Sequence, residues 1–305
     1  MKVLVCDPID MEGINILRRE GFDVDFKPSI TEDELLGTIG KYDVLLVRGR
    51  TKVTRQMLER GEQLKVIGRV GAGLDNIDLK ASEERGITVL NTPEALADSV
   101  AELTFGLILA VSRRIAFADR AMKEGKWLKK ELEGMLLKGK TLGIIGLGNI
   151  GWSVAKIGRS IGMKVLVTKR TPPKPELIVE LGAEFVSLDN LLSSSDIVSI
   201  HVPLTPETRH LISSRELSLM KDEAILINTS RGGVVDEKAL LEVLKSGKLY
   251  GAALDVYETE PPTNLELITL PNVVCTPHIG AQTKEAQKVA SAMIAEKIAR
   301  FFKNQ

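Results

Sequence analysis

Three residues in the C-terminal part of the chain, Arg231, Glu260 and His278, have the side chains that hydride transfer to a carbonyl group requires. The carbonyl oxygen gains negative charge as hydride arrives, and histidine can protonate it because the pKa of imidazole lies near neutrality. A nearby carboxylate stabilises the imidazolium, and an arginine can bind a substrate carboxylate through two hydrogen bonds. Each residue alone also has an ordinary structural explanation. The chemical interpretation is favoured because all three follow predicted strands, where ligands of parallel sheets bind.

A glycine-rich motif predicts the hydride carrier. The apolar strand Leu142–Ile145 runs directly into Gly146, Gly148 and Gly151, and a helix-compatible segment follows. In this Gly-x-Gly-x-x-Gly spacing the glycines allow a tight turn, close approach of a pyrophosphate and close packing of helix on strand. The helix N-terminus would add free N–H groups and the positive end of its dipole. Although such turns also occur for purely structural reasons, the strand before it and the next strand one helix later favour a bound dinucleotide.

Short apolar strands alternate with helical segments along the whole chain, which predicts an α/β protein with two doubly wound parallel-sheet domains. The predicted strands of the first domain are Val3–Cys6, Asp23–Phe26, Val44–Val47, Val66–Gly68 and Thr88–Leu90. The second domain has six, which fits the two halves of a Rossmann dinucleotide-binding domain. They are Leu142–Ile145, Val165–Val167, Ile197–Ile200, Ile225–Asn228, Gly251–Asp255 and Val273–Thr276.

Three helical features complete the predicted organisation. Thr31 and Glu34 form a capping box at the start of a helix. Residues 99–123 read as one long helix, apolar on nearly all sides in its first half, which must be buried in a core or at an interface. Residues 283–302 read as an amphipathic helix that returns to the first domain. We therefore expect a discontinuous substrate-binding domain at 1–97 plus 284–305 and a cofactor-binding domain at 98–283.

Composition excludes several classes of function. The 305 residues include 41 basic and 41 acidic side chains, and this balance argues against binding to nucleic acid or to a membrane surface. Cys6 and Cys275 have no zinc-like spacing and fit core packing, so no metal is expected. A strand at the N-terminus leaves no room for a signal peptide, and the longest apolar run, residues 103–111, is too short for a bilayer. These features predict a cytoplasmic protein.

Further segments show that the chain resembles the D-isomer-specific 2-hydroxyacid dehydrogenases along nearly its whole length, and most of all their phosphoglycerate branch. The segments that carry the resemblance are residues 47–54, 68–78, 91–93, 101–104, 230–236 and 277–281. The resemblance implies a Rossmann domain and a flavodoxin-like substrate domain, with the substrate between them. It also implies a short form of the family, without the C-terminal regulatory domain that binds serine in many phosphoglycerate dehydrogenases.

The resemblance also implies the roles of individual residues. His278 would be the acid/base, Glu260 its partner, and Arg231 the ligand of the substrate carboxylate and carbonyl. The implied substrate-binding residues are Arg48, Arg50, Val70, Gly71, Ala72, Gly73, Arg231 and His278. The implied or motif-derived cofactor-binding residues are Gly146, Gly148, Asn149, Ile150, Gly151, Lys169, Arg170, Val202, Pro203, Thr229, Ser230, Arg231, Asp255, His278, Gly280 and Ala281. Arg48 and Arg50 would meet a substrate phosphate, with structural salt bridges as the alternative.

One position departs from the pattern of NAD-specific members. They carry an acidic residue at the end of the second cofactor-domain strand, where it binds the adenosine ribose hydroxyls. Here that position is Lys169, followed by Arg170. Because these cations would attract a 2′-phosphate, the sequence favours NADP, with NAD and two solvated surface charges as the alternative.

The predicted function is hydride transfer between C2 of a D-2-hydroxyacid and NAD or NADP. The first choice of reaction is 3-phosphoglycerate to 3-phosphohydroxypyruvate, a step of serine biosynthesis. The nearest alternative is a glyoxylate or hydroxypyruvate reductase on the same scaffold, and a remote one is a dinucleotide-sensing, corepressor-like protein without enzymatic activity. The resemblance further suggests a homodimer through the cofactor domains and the apolar helix after Ser99.

Overall fold

The computed structural model describes residues 1–304, which form two compact units. Unit 1 comprises Met1–Leu96 and the C-terminal segment from Ala281, and unit 2 comprises Ala97–Gly280. The predicted domain boundaries lie one residue later at the first junction and three residues later at the second. The second difference arises because the residues after Gly280 make their hydrogen bonds within unit 1: the Ala281 carbonyl accepts from Gln287 Nε2, and Gln282 Oε1 accepts from Arg48 Nη2.

The elements are numbered in chain order. The strands are β1 Lys2–Val5, β2 Asp23–Phe26, β3 Val44–Val47, β4 Val66–Arg69, β5 Thr88–Asn91, β6 Thr141–Ile145, β7 Lys164–Thr168, β8 Glu184–Phe185, β9 Ile197–Ile200, β10 Ala224–Asn228, β11 Leu249–Leu254 and β12 Val273–Cys275. The α-helices are α1 Met11–Arg19, α2 Glu32–Thr38, α3 Arg55–Arg60, α4 Leu79–Glu84, α5 Ala97–Ser112, α6 Ile115–Lys123, α7 Asn149–Ser160, α8 Pro175–Leu181, α9 Leu188–Ser194, α10 Ser214–Leu219, α11 Glu237–Lys245, α12 Leu265–Ile268 and α13 Lys284–Lys303.

Unit 1 is built on a five-stranded parallel sheet in the order β2-β1-β3-β4-β5, which is the flavodoxin-like order. All four residues of the central strand β3 are buried, as expected for a parallel strand covered on both faces. The predicted capping box is confirmed, because the Glu34 N–H donates to Thr31 Oγ1 and the Thr31 N–H donates to Glu34 Oε2. Helix α13 begins after Thr283, whose hydroxyl caps it, and packs against α1 and β4.

Unit 2 is built on a seven-stranded parallel sheet in the order β12-β11-β10-β9-β6-β7-β8. The strand order reverses between β6 and β9, as at the ligand-binding crevice of a Rossmann fold. The predicted fold class is therefore confirmed. Strand β8 was not predicted, because this edge strand has only two residues and both are exposed, so it carries no apolar run. Cys275 lies in β12 as predicted, whereas Cys6 is buried directly after β1; both are free thiols.

The predicted helix over residues 99–123 is instead two helices, α5 and α6. The chain breaks at Arg114, which adopts a left-handed conformation with φ 52°, and the Arg114 guanidinium lies 5.1 Å from the centre of the Phe117 ring. Residues 94–112 are long and apolar enough to cross a membrane by length and composition alone, contrary to the shorter run read from the sequence. Within unit 2, α5 packs against α7 and strands β10 to β12, which is an ordinary reason for a helix to be apolar.

Candidate functional site

The glycine motif forms a cradle at the N-terminus of α7. Gly146 adopts φ 98°, and a Cβ there would lie 2.5 Å from the His201 carbonyl oxygen. A Cβ on Gly151 would lie 2.1 Å from the Gly146 carbonyl oxygen, so both positions require glycine for close packing. A Cβ on Gly148 would meet nothing within 4 Å, so this exposed backbone faces open space before α7. No side chain caps the helix at Gly148, and the residues therefore fit a bound pyrophosphate.

The carboxyl end of β7 lies beside this cradle, because the Gly146 N–H donates to the Thr168 carbonyl at 2.9 Å. Lys169 and Arg170 follow, and both side chains are exposed. In the loop after β9, Glu207 is close enough to Arg170 to interact with it. The pKa of Glu207 is lowered mainly by the Thr205 hydroxyl, next by its own backbone N–H, and to a smaller extent by Arg170.

The structure brings His278 and Glu260 together. His278 Nδ1 lies 2.8 Å from Glu260 Oε2, and the two side chains are 48% and 40% exposed. Because the carboxylate accepts a hydrogen bond from Nδ1–H, the neutral imidazole presents its Nε2 lone pair for proton transfer. The other carboxylate oxygen, Glu260 Oε1, accepts a hydrogen bond from the Tyr257 N–H at 3.3 Å. The pair has the geometry of an oriented general base.

Asp255 holds the turn that carries His278. Its carboxylate is almost fully buried and accepts hydrogen bonds from the Thr276 hydroxyl at 2.6 Å, the Ile279 N–H at 2.8 Å and the Gly280 N–H at 2.9 Å. These bonds hold His278 at φ 53°, a conformation that costs a non-glycine residue about 1–2 kcal/mol. In addition to the cofactor binding predicted for it, Asp255 therefore has a structural role that only the structure shows.

Of the other two histidines, His201 does not fit an acid/base role. Burial lowers its pKa to about 3, so the ring stays neutral in the physiological range. Its Nε2 lies 2.8 Å from Ser199 Oγ. His210 lies in the loop between β9 and α10, with Nε2 3.1 Å from Glu258 Oε1.

Arg231 lies in a loop that the last residue of β10 shapes. Asn228 is 1% exposed, and its Oδ1 accepts hydrogen bonds from the Ser230 N–H and hydroxyl at 3.1 and 2.9 Å. Its Nδ2 donates to the Arg231 carbonyl at 2.9 Å, while Arg231 Nη1 donates to the Ser230 carbonyl at 2.6 Å. This role of Asn228 was not predicted from the sequence. The available signal was an amide residue at the end of an otherwise apolar strand.

Thr229, the first residue of this loop, has a defined hydrogen-bond polarity. Its Oγ1 lies 2.9 Å from Thr104 Oγ1, and the Thr104 hydroxyl donates to the Val100 carbonyl at 2.7 Å. Since a hydroxyl has one proton, Thr229 must donate to Thr104 in this arrangement. Thr229 then offers only lone pairs to any further partner.

In unit 1, the loop at residues 70–73 uses half of its N–H groups internally. The Val70 N–H donates to the Val47 carbonyl at 2.9 Å, and the Gly71 N–H donates to Thr92 Oγ1 at 2.9 Å. Within residues 1–304, the N–H groups of Ala72 and Gly73 have no such partner. Of the four predicted substrate-binding residues in this loop, only Ala72 and Gly73 therefore have N–H groups available for a carboxylate, because the fold places acceptors beside those of Val70 and Gly71.

The two predicted phosphate ligands of unit 1 differ. The Arg50 guanidinium contacts Asp7 through Nε at 3.1 Å and donates to three backbone carbonyls, those of Cys6, Pro28 and Ile30. Asp7 is buried and also accepts from the Arg48 N–H, so it organises this end of the sheet. Arg50 therefore fits the alternative of a structural salt bridge. The Arg48 guanidinium has a single side-chain contact within unit 1, Nη2 with Gln282 Oε1 at 3.1 Å, and remains a candidate ligand.

The remaining predicted cofactor residues lie around the carboxyl ends of the strands. Asn149 and Ile150 open α7, and Val202 and Pro203 follow β9. Gly280 ends unit 2 and its carbonyl accepts a hydrogen bond from the Ser99 hydroxyl at 2.7 Å. Ala281 belongs to unit 1.

Comparison with known proteins agrees with this site. Residues 105–280 match the sequence model of the NAD-binding domain of D-isomer specific 2-hydroxyacid dehydrogenases, which covers more than half of the chain. The chain belongs to this family. The prediction of a D-2-hydroxyacid dehydrogenase is thereby confirmed at the level of family and nicotinamide-binding fold.

Three relatives carry different substrate names. The chain is 48% identical over its whole length to D-3-phosphoglycerate dehydrogenase of Methanocaldococcus jannaschii, but spans only 58% of that protein. It is 50% identical to hydroxypyruvate reductase of Thermotoga maritima, with 97% of each chain covered. It is 47% identical to glyoxylate reductase of Thermococcus litoralis, covering 89% of this chain and 84% of that one.

A solved structure of an acyclic imino acid reductase in complex with NADPH and D-Arg has the same fold. It superimposes with a TM-score of 0.90 at 31% identity, covering 100% of this chain and 98% of the other. A dehydrogenase-like scaffold of this kind therefore binds NADPH in at least one related protein.

Proposed function

We propose that the protein transfers a hydride between C2 of a D-2-hydroxyacid and a nicotinamide cofactor. The observation that carries the proposal is the His278–Glu260 pair at 2.8 Å, at the same edge of the unit 2 sheet as the glycine cradle. The cofactor, when bound, supplies the hydride or accepts it. His278 Nε2 takes the hydroxyl proton during oxidation and returns it during reduction, while Glu260 holds Nδ1 and stabilises the imidazolium.

Arg231 supplies the charge that complements the substrate. Its guanidinium binds the substrate carboxylate in a bidentate fashion and polarises the C2 carbonyl. The buried Asn228 keeps the Arg231 loop in place. Asp255 does the same for the His278 turn, so both reacting groups are held before substrate arrives.

The proposed substrate is 3-phosphoglycerate, with glyoxylate or hydroxypyruvate as the alternative. The names of the phosphoglycerate relatives support the first, together with the Arg48 guanidinium, whose one hydrogen bond within unit 1 goes to Gln282. The relatives covered over most of their length support the second. A panel of 2-oxoacids and 3-phosphoglycerate, assayed with NAD(H) and NADP(H) in parallel, tests the proposal. Turnover of a phosphorylated substrate with higher kcat/KM than glyoxylate supports the first choice. No turnover of any 2-hydroxyacid would support the sensor alternative and overturn the proposed enzyme.

For the cofactor, we propose a preference for NADP. Lys169 and Arg170 are both exposed at the end of β7, beside the glycine cradle. Replacing Lys169 with aspartate is expected to raise the NADPH dissociation constant about 10- to 100-fold, because an attraction to the 2′-phosphate becomes a repulsion. The NADH constant should fall or stay unchanged, as fluorescence titration will measure.

Lys164→Asp is the matched control for this experiment. Lys164 is also exposed but lies at the opposite end of β7, so the same change in net charge occurs away from the cradle. Equal losses of NADPH affinity in both variants would show a general charge effect and would refute a 2′-phosphate site at Lys169.

We further propose a homodimer through α6 and the segment that follows it. Four large apolar side chains there are markedly exposed: Ile115 at 51%, Met122 at 55%, Trp127 at 76% and Leu136 at 74%. Exposed apolar residues concentrated in one segment are typical of an interaction surface. Sedimentation at micromolar concentration should give twice the chain mass of 33.3 kDa, and Trp127→Glu should shift the protein towards monomer. A monomer at all concentrations would contradict the proposal.

A further inference from the structure

A cluster of one imidazole and two carboxylates joins the three loops that follow β9, β10 and β11. His210 comes from the first loop, Glu237 opens α11 after the second, and Glu258 lies in the third. His210 Nε2 is 3.1 Å from Glu258 Oε1, at ion-pair distance but without hydrogen-bond geometry. We call these three residues the loop cluster.

The two glutamates of the loop cluster are bound to each other reciprocally. The Glu258 N–H donates to Glu237 Oε1 at 2.7 Å, and the Glu237 N–H donates to Glu258 Oε1 at 3.1 Å. Glu237 is 8% exposed, and its pKa is raised by burial and, to a smaller extent, by the charge of Glu258. Two carboxylates held this close repel each other, and the two reciprocal N–H bonds keep them in place.

His210 itself is held in place by the backbone. It adopts φ 51°, in the left-handed region, and its N–H donates to the Gly233 carbonyl at 2.8 Å. A β-carbon-bearing residue keeps this conformation only where its surroundings impose it. The loop after β9 is therefore tied to the loop after β10 by the His210 backbone and to the loop after β11 by its side chain.

The loop cluster lies next to both groups that the proposed reaction uses. The peptide joining Tyr257 and Glu258 packs on Gly232, where a Cβ would be 1.8 Å from the Tyr257 carbonyl carbon. Gly232 directly follows Arg231, and the Tyr257 N–H donates to Glu260 Oε1. A displacement of Glu258 would therefore move the backbone on which Arg231 and Glu260 depend.

We propose that His210, Glu237 and Glu258 are positioning residues that set the orientation of Glu260 towards His278, an inference that rests on the proposed function. None of the three has to touch substrate. Their contribution passes through the 257–260 backbone to the Glu260 carboxylate. Loss of a charge from the loop cluster weakens the Glu260–His278 contact and thereby lowers the pH at which His278 loses its proton.

Glu258→Gln tests the inference, because the amide keeps an oxygen for the Glu237 N–H but removes the charge that faces His210. In the reduction direction, where His278 must be protonated, the alkaline limb of the kcat pH profile is expected to move to lower pH by about half a unit or more. At pH 8 kcat should fall about 3- to 10-fold. The NADPH or NADH dissociation constant should change less than 2-fold.

A double-mutant cycle with Glu260→Gln shows whether Glu258 acts through Glu260. Glu260→Gln alone should move the same limb to lower pH, and adding Glu258→Gln should then move it little further. Asp189→Asn is the matched control, because it removes the carboxylate of an exposed ion pair with Arg215 elsewhere in unit 2. It should leave the pH profile unchanged.

Two failures are distinguishable. If Glu260→Gln leaves the limb in place, the proposed pairing with His278 is wrong, and the proposed function loses its main support. If Glu260→Gln moves the limb but Glu258→Gln does not, the loop cluster is only structural. If the two shifts simply add, Glu258 acts independently of Glu260, and the inference is likewise overturned. If Glu258→Gln folds poorly, His210→Asn is the second variant, because asparagine tolerates positive φ. It should move the alkaline limb of the kcat pH profile in the same direction.

Discussion

Replacing His278 with alanine is expected to lower kcat for hydroxyacid oxidation by about 10²- to 10⁴-fold, the range typical of a lost general acid/base. Without the imidazole, the proton that leaves the substrate hydroxyl has no acceptor in the position that Glu260 and Asp255 arrange. The dissociation constant of the cofactor should stay within a few-fold of the wild-type value, because the glycine cradle at Gly146 to Gly151 is untouched. Stopped-flow turnover and fluorescence titration measure the two quantities separately.

Ile279→Ala is the control for this variant. Ile279 is the next residue of the same turn, is 37% exposed, and keeps its N–H bond to Asp255 in the variant. A large loss of kcat in Ile279→Ala would mean that any disturbance of the turn lowers turnover, whether or not the imidazole is removed. Near-wild-type turnover in His278→Ala would remove His278 from the mechanism altogether.

Replacing Arg231 with alanine is expected to lower kcat/KM by about 10²- to 10³-fold, as the loss of a bidentate, charge-assisted contact to the substrate predicts. Arg231→Lys restores the charge but not the planar pair of donors, so it should recover only part of the loss. Steady-state kinetics with a 2-oxoacid and with the same substrate lacking its carboxylate will separate the binding of the carboxylate by Arg231 from any other effect of this residue on turnover. The carboxylate-free substrate should be turned over poorly by every variant and should show little further loss in Arg231→Ala.

Arg215→Lys is the matched control, since Arg215 lies on the surface of unit 2 in an ion pair with Asp189. It should leave kcat/KM unchanged. If Arg231→Ala lowers kcat/KM for both substrates by the same factor, Arg231 does not bind the carboxylate, and a structural role through its loop would replace the one proposed here.

Local sequence determined much of the architecture. The strands of unit 1 agree with the predicted ones to within a residue or two, because a buried parallel strand must be a short apolar run. Thr31 and Thr283 begin helices as expected, because a side-chain oxygen can satisfy the first N–H groups wherever the helix lies. The requirement for glycine at 151 likewise has a local cause, since its Cβ would meet the Gly146 carbonyl, whereas at Gly146 the excluding atom is the His201 carbonyl oxygen, which follows another strand.

The partners of polar side chains depended on the tertiary structure. Nothing near Arg50 in the sequence shows that Asp7 and three carbonyls from other segments meet its guanidinium. The N–H groups of Val70 and Gly71 are used up by β3 and by Thr92 in the same way. The helix predicted over residues 99–123 is interrupted at Arg114, where the backbone adopts a left-handed conformation.

The candidate reacting groups show most clearly which properties follow from the sequence and which depend on the tertiary structure. Their residue types were recognisable from the sequence, because hydride transfer needs an imidazole, a carboxylate and a guanidinium. Their arrangement was not, because the Asp255 carboxylate reaches across more than twenty positions of chain to hold the His278 turn. Local propensity fixes where an element begins, whereas a hydrogen bond between loops forms only after the sheet has brought the carboxyl ends of its strands together.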